Sequence, residues 1–218
     1  MLTKETVAFL KKLEKNNNRE WFTANKKLFE EANTNIIALT DQLIGRVAKF
    51  DADVAGLDPK ACVFRIYRDV RFSKDKSPYK TNLGAFIAPG GRKAMSPGYY
   101  FHIQPGMFFS AAGKYMPDSA ETLKIRNAIA NHTKEFRKIV EAKKFLERFG
   151  DFHGERLSRP PKGFAADHEA IEYLKLKSFT VGQEFKESDA VSADYPKMLA
   201  ESFKAAYPLV LFLRAALK

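Results

Sequence analysis

The sequence predicts an α+β fold, with N-terminal and C-terminal helices packed against an antiparallel sheet of about four or more strands within residues ~61–112. Three observations lead there. Residues 3–50 repeat apolar side chains at close to helical spacing. Residues 61–112 hold short aromatic and aliphatic runs separated by Pro-Gly and Gly-Gly turns. From Asp118 onward the helical spacing returns. Helices, then successive hairpin strands, then helices again build helix layers on an antiparallel sheet rather than an alternating parallel one.

Element by element, Thr3 is placed to cap a first helix whose Val7, Phe9, Leu10 and Leu13 form an apolar stripe, and Asn16-Asn17-Asn18 ends it. Asn18 caps the next. From Trp21, the positions Leu28, Ala32, Ile36, Leu39, Leu43 and Val47 share one face, so most of the stretch to Phe50 is predicted as helix. Four strands are predicted, at Cys62–Tyr67, Leu83–Ala88, Tyr99–Gln104 and Met107–Ala112. Gln104-Pro105-Gly106-Met107 is a tight turn between the last two, and Pro89-Gly-Gly-Arg92 opens a looser connection. Alternation puts Tyr100, His102 and Gln104 on one face and Phe101 and Ile103 on the other. One sheet face is therefore polar and aromatic, a surface where a ligand could sit. Asp118-Ser-Ala-Glu121 has the spacing of a capping box, and helices are expected around Glu135–Val140 and Lys144–Phe149. Residues 150–167 read as an irregular loop. Ser192 or Asp194 opens a last helix, with Pro208 expected to bend or interrupt it.

At 218 residues and 45% hydrophobic content the chain suits a single domain, residues 1–218, with a sizeable core. Its 37 basic and 26 acidic residues leave a net charge of +11, which favours anionic partners. The single cysteine, Cys62, excludes an intramolecular disulfide and a multi-cysteine zinc site, and beside Val63 and Phe64 it reads as a buried, inert thiol. No apolar stretch suits a signal peptide, and Tyr207–Leu217 is far short of the roughly 20 residues a spanning helix needs. No membrane association and a cytoplasmic location are expected. The histidines His102, His132, His153 and His168 lack ligand spacing, so no metal is expected. Neither GxSxG nor GxxxxGK[ST] occurs, and no cofactor is indicated.

The segment Arg65–Lys80 packs six cations, two carboxylates and two tyrosines into sixteen residues. Arg65, Arg68 and Arg71 stand three residues apart among Phe64, Ile66, Val70 and Phe72, which draw them toward apolar surroundings where cations need anionic partners. Asp69 and Asp75 are the orienting carboxylates, and Asp69 is expected to be buried against an arginine. The excess charge nominates Arg65, Arg68, Arg71, Lys76 and Lys80 as anion-binding, with Lys175 and Lys177 as further candidates. His102, on the polar strand face, and Tyr79 are the candidate acid/base residues, each with a purely structural alternative.

The pattern RxxRDxRFxx[DN]KxxY, met here from Arg65 through Asp69, Phe72, Asp75 and Lys76 to Tyr79, resembles the signature of the bacterial domain-of-unknown-function family 2461, a family of conserved hypothetical proteins. Asn17-Asn18-Arg19-Glu20-Trp21-Phe22 and Leu174–Phe179 are similar to that family too. The resemblance covers nearly the whole chain but implies no reaction, so whether the protein is an enzyme stays open. Three functions follow from the residues: a cationic Arg/Lys cleft for a phosphate- or carboxylate-bearing small molecule, a nucleic-acid-binding module, and a protein-interaction domain whose arginine–aspartate network is wholly structural.

Overall fold

In the computed structural model, which describes residues 1–218, the expected capping chemistry starts the chain. The Thr3 hydroxyl accepts the Thr6 N–H at the head of α1 (Lys4–Lys15). The Asn18 side chain accepts the Trp21 N–H at 2.8 Å and opens α2 (Arg19–Ala24). The helical stretch from Trp21 is broken at Asn25, whose N–H closes α2, and resumes as α3 (Lys26–Val47). Asp58 then caps α4 (Pro59–Cys62), with Pro59 in its first turn.

The strand expected over Cys62–Tyr67 does not form. Cap and proline together make helix through Cys62, and the residues after it pair only through isolated antiparallel bridges, Val63 with Ala85 and Tyr67 with Tyr79. The remaining strand expectations hold as β1 (Leu83–Ile87), β2 (Gly98–Gln104) and β3 (Met107–Lys114). Next come α5 (Ser119–Asn131), α6 (Thr133–Val140), α7 (Lys143–Phe149) and α8 (Ile171–Leu174). The fourth strand is β4 (Phe179–Phe185), outside residues 61–112, and α9 (Glu187–Ala190) and α10 (Tyr195–Leu217) follow it. The antiparallel sheet runs β1-β2-β3-β4, so the fold class is α+β.

The chain divides into two compact units, one of residues 1–94, 100–110 and 184–201, the other of residues 95–99, 111–183 and 202–218. In the first, α3 packs on α1, α4 and β1. Its core gathers Leu10 and Leu13 of α1, Ile36, Leu39 and Leu43 of α3, and the inward residues Leu83, Ala85, Ile87, Phe101 and Ile103 of β1 and β2, all 0–1% exposed. Cys62 is fully buried, and burial raises its thiol pKa, with Asp58 acting in the same direction. That environment makes it inert. Gly106 takes φ +78° in the turn between β2 and β3, a conformation open to glycine and unfavourable for most other residues.

The second unit gathers Ile125, Ile129, Phe136, Leu174, Phe179, Phe203 and Leu213. The Asp118–Glu121 capping box forms at the head of α5, and Glu121 also receives the buried Lys114 ammonium at 2.5 Å, tying that helix end to β3. Helix α10 continues through Pro208 without interruption. Pro208 removes one backbone donor, but Leu209, Val210 and Leu213 after it are all fully buried, and their packing sustains the last turns. No helix is long and apolar enough to cross a membrane.

At Gly113 of β3 (φ +123°) an added Cβ would overlap the Phe179 carbonyl of β4. Gly113→Ala is therefore expected to cost about 1–3 kcal/mol or more, the range for forcing atoms into a packed site. Gly45→Ala, with open space around the site, is the contrast. Chemical denaturation of both variants checks the difference.

Candidate functional site

The hairpin of residues 65–80 is held by its own carboxylates and hydroxyls. Arg68 is ion-paired to Asp75, and its guanidinium also donates to Ser77 O and Ser73 Oγ, both at 3.3 Å. Asp75 in turn accepts the Ser77 hydroxyl at 2.6 Å and the Ser77 N–H at 2.9 Å. The Ser77 bonds, with Arg68 behind them, hold the Asp75 carboxyl down at about 2. Arg71 grips Asp69 with two parallel bonds of 2.9 and 2.6 Å, which lower the Asp69 pKa and raise that of Arg71. Lys76 donates to Val70 O at 3.1 Å.

These pairs lie at the surface. Asp69 was expected to be buried, yet its side chain is 45% exposed and that of Arg71 76% exposed. Phe72, expected to draw the arginines toward apolar surroundings, is itself 95% exposed, so the tip of the hairpin projects into solvent and offers Asp69 no cover. Ile66, by contrast, is buried.

Three nominated cations, Arg65, Lys76 and Lys80, have no carboxylate bound to them, and of these Lys76 is held by the Val70 carbonyl. Lys80 places its ammonium over the ring of Phe64, 5.5 Å from the centroid, and is half-buried there. Burial, and then the charge of neighbouring Arg65, push its pKa down. Arg65 is exposed and also feels Asp69, but the Asp69 oxygens are already taken by Arg71. The two charges meet because the hairpin is in fixed register: Lys80 N donates to Ile66 O at 2.8 Å and Arg68 N to Pro78 O at 3.0 Å.

The register rests on Asn17, whose side-chain amide donates to Tyr79 O at 2.9 Å and accepts the Tyr79 N–H at 3.1 Å. The Tyr79 ring stacks on Phe22 with centroids 3.9 Å apart and is 5% exposed, so its surroundings are those of a packing residue.

The polar strand face is built as alternation requires. Phe101 and Ile103 are fully buried, while Tyr100, His102 and Gln104 are half-buried on the opposite face. The Tyr100 hydroxyl lies 2.8 Å from His102 Nδ1, and His102 Nε2 lies 3.0 Å from the Gln104 amide oxygen. A neutral imidazole protonated on Nε2 satisfies both bonds, accepting from Tyr100 and donating to Gln104. Burial lowers the His102 pKa, against the Gln104 bond, and raises Tyr100 to about 12. His102 also stacks on Phe109 of β3 at 4.7 Å. Tyr100 touches Phe109 at 5.8 Å and presents an edge contact to Phe64 at 6.0 Å. The rings thus run without a break from Lys80 over Phe64 and Tyr100 to His102 and Phe109. Phe64 and Phe109 were not nominated from sequence, although alternation along Met107–Ala112 places Phe109 opposite the buried Phe108.

Lys175 and Lys177 belong to the second unit, where Lys175 pairs with Glu172 at 2.8 Å and Lys177 with Glu155 at 2.6 Å. One shallow cavity is lined by Lys134, Arg137, Lys138, Glu141, Ala142 and Glu169, another by Lys27, Glu30, Glu31, Thr34, Asn35 and Ala38; neither includes a signature residue.

The model of domain-of-unknown-function family 2461, described as conserved hypothetical protein, matches residues 5–212, and the chain belongs to that family. No curated protein and no solved structure matches it.

Asp69→Asn is expected to leave the melting temperature essentially unchanged, because the pair it breaks is solvated. Asn17→Ala, which strips both partners from a part-buried backbone unit, is expected to cost about 1–3 kcal/mol. Thermal melts of the two variants side by side check the contrast.

His102 gives a pH dependence of definite sign. Its folded pKa lies below the ordinary 6.5, so between the two values the unfolded chain binds more protons than the folded one. The stability it contributes is complete above pH 6.5 and declines as pH falls through the lowered folded value. The imidazole resonances should titrate with a midpoint below 6.5, and His102→Gln should flatten the stability profile on the acid side.

Proposed function

We propose that the protein binds a phosphate- or carboxylate-bearing ligand at Arg65 and Lys80, on the sheet-face side of the signature hairpin. The observation that carries this reading is the environment of Lys80: half-buried on Phe64, beside Arg65, and with no carboxylate bound to either charge. A desolvated cation beside a like charge is costly unless an anion offsets it. The other signature cations have internal partners, which supports a structural role for them. On this reading the signature has two parts. Arg68, Asp69, Arg71, Asp75 and Lys76 shape the hairpin, while Arg65 and Lys80 receive the ligand. The lone buried cysteine suits a reducing compartment such as the cytoplasm.

Phosphate, sulfate and dicarboxylates, added at fixed ionic strength, should raise the melting temperature. A ligand that binds only the folded state stabilises by about 2.7 kcal/mol at a hundredfold excess over Kd. Arg65→Gln and Lys80→Gln should abolish the response, and Lys80→Gln should leave the ligand-free protein no less stable, since it relieves repulsion with Arg65. Arg71→Gln should respond like the wild type. If no anion shifts the wild type, or if the shift survives loss of both Arg65 and Lys80, the proposal fails.

A further inference from the structure

We infer that the ligand of this face is a nucleoside phosphate, its phosphate on Arg65 and Lys80 and its base on the aromatic surface of Tyr100 and Phe109; this rests on the anion site proposed above. A run of aromatic rings adjoins the two cations. From the Lys80 ammonium the surface continues as a chain of rings: Phe64 at 5.5 Å, Tyr100 a further 6.0 Å between centroids, then Phe109 at 5.8 Å from Tyr100 and stacked on His102 at 4.7 Å. All four aromatic side chains are half-buried on the outward face, while the inward strand neighbours Phe101, Ile103 and Phe108 are 0–3% exposed.

Positive charge at one end and ring surface beyond it is the pairing that recognises a phosphate joined to a flat base. The polar line along the same rings matches that class of ligand better than the other phosphates. The Tyr100 hydroxyl, the His102 imidazole and the Gln104 amide are bonded in sequence. Gln104, bonded to His102 through its amide oxygen, also carries an amide N–H₂, the kind of donor that a heterocycle's ring nitrogen or carbonyl accepts. A sugar phosphate would leave the faces of Phe64 and Phe109 against hydroxyls, and a lipid phosphate would set acyl chains against this polar line. At Gly84 an added Cβ would overlap the Phe101 carbonyl oxygen first, and would also crowd the Tyr100 hydroxyl at 3.1 Å and Cε2 at 3.2 Å, so the glycine serves the close approach of β1 to β2 and the Tyr100 ring that lies beside it. A base of this kind is supplied equally by a free mononucleotide or by one residue of a single strand.

The test is calorimetric titration at fixed ionic strength with inorganic phosphate, ribose 5-phosphate, adenosine 5′-monophosphate and a single-stranded hexa-adenylate. The mononucleotide should bind at least about tenfold more tightly than ribose 5-phosphate, the low end for stacking one base. Phe109→Leu keeps apolar bulk but removes the π-face; it should erase that advantage while leaving phosphate binding unchanged. Lys80→Gln should weaken all four probes. Equal affinity for the mononucleotide and ribose 5-phosphate, or a full advantage retained in Phe109→Leu, overturns the inference while the anion site stands. Failure of phosphate and mononucleotide alike overturns both. A hexa-adenylate bound at least tenfold more tightly than the mononucleotide supports the inference with a strand as the source, and equal affinity supports it with a free nucleotide.

Discussion

The side-chain amide of Asn17 donates to the carbonyl of Tyr79 and accepts its N–H, and the register of the hairpin over residues 65–80 descends from that pair of bonds. With Tyr79 held, its ring lies on Phe22 and against Tyr67 across the bridge, so the two strands of the hairpin cannot slip past one another. Slipping by one residue would turn each side chain to the opposite side. Lys80 would then leave Phe64 and Arg65, and the like-charge pair at the base of the hairpin would separate. A turn between two helices, formed because asparagine ends one helix and caps the next, therefore sets the geometry of a loop about sixty positions later.

The cations of this hairpin differ in solvation rather than in kind. Arg71 and Asp69 meet in water, where an ion pair contributes little to stability but orders the side chains that make it. Arg68, Asp75, Ser73 and Ser77 form a denser network in which hydroxyl and backbone donors satisfy the carboxylate along with the guanidinium. Lys80 is in the opposite condition, since its long stem runs over an aromatic ring and its charge is partly stripped of water. The attraction of a ring face for a cation offsets part of that loss. A neighbouring arginine adds to it. One short segment thus carries both cations paired within the hairpin, at Arg68 and Arg71, and a cation held against a ring with no carboxylate on it, at Lys80.

The outward face of β2 is built without charge. Pleating sends Tyr100, His102 and Gln104 the same way, and the side-chain spacing along one strand face is short enough for each to hydrogen-bond the next. Because both imidazole nitrogens are engaged, His102 is held in one orientation as a neutral ring. A phenol whose pKa is pushed up to about 12 by burial stays protonated at neutral pH. The face thus presents neutral, mutually hydrogen-bonded groups and π-surfaces instead of a second set of charges.

Much of this was legible in the sequence because it depends on neighbours along the chain. The Thr3 and Asn18 caps, the Asp118–Glu121 box, the Pro105-Gly106 turn and the alternation of Tyr100 to Gln104 all act within a few residues. The excess of positive charge in residues 65–80 was legible for the same reason. Which charges remain open was not, since it depends on how far the hairpin tip projects: Phe72 and Asp69 read as buried partners, and both proved exposed. The pairing of Val63 with Ala85 and of Tyr67 with Tyr79 replaced a predicted strand by two bridges, and β4 came from residues whose strand partner lies more than sixty positions earlier in the chain. The local elements, the side chains that share a strand face and the surplus of cations follow from neighbours along the chain. Tertiary structure alone decided which cation lost its water, because desolvation is set by the rings and backbone that long-range packing brings around it.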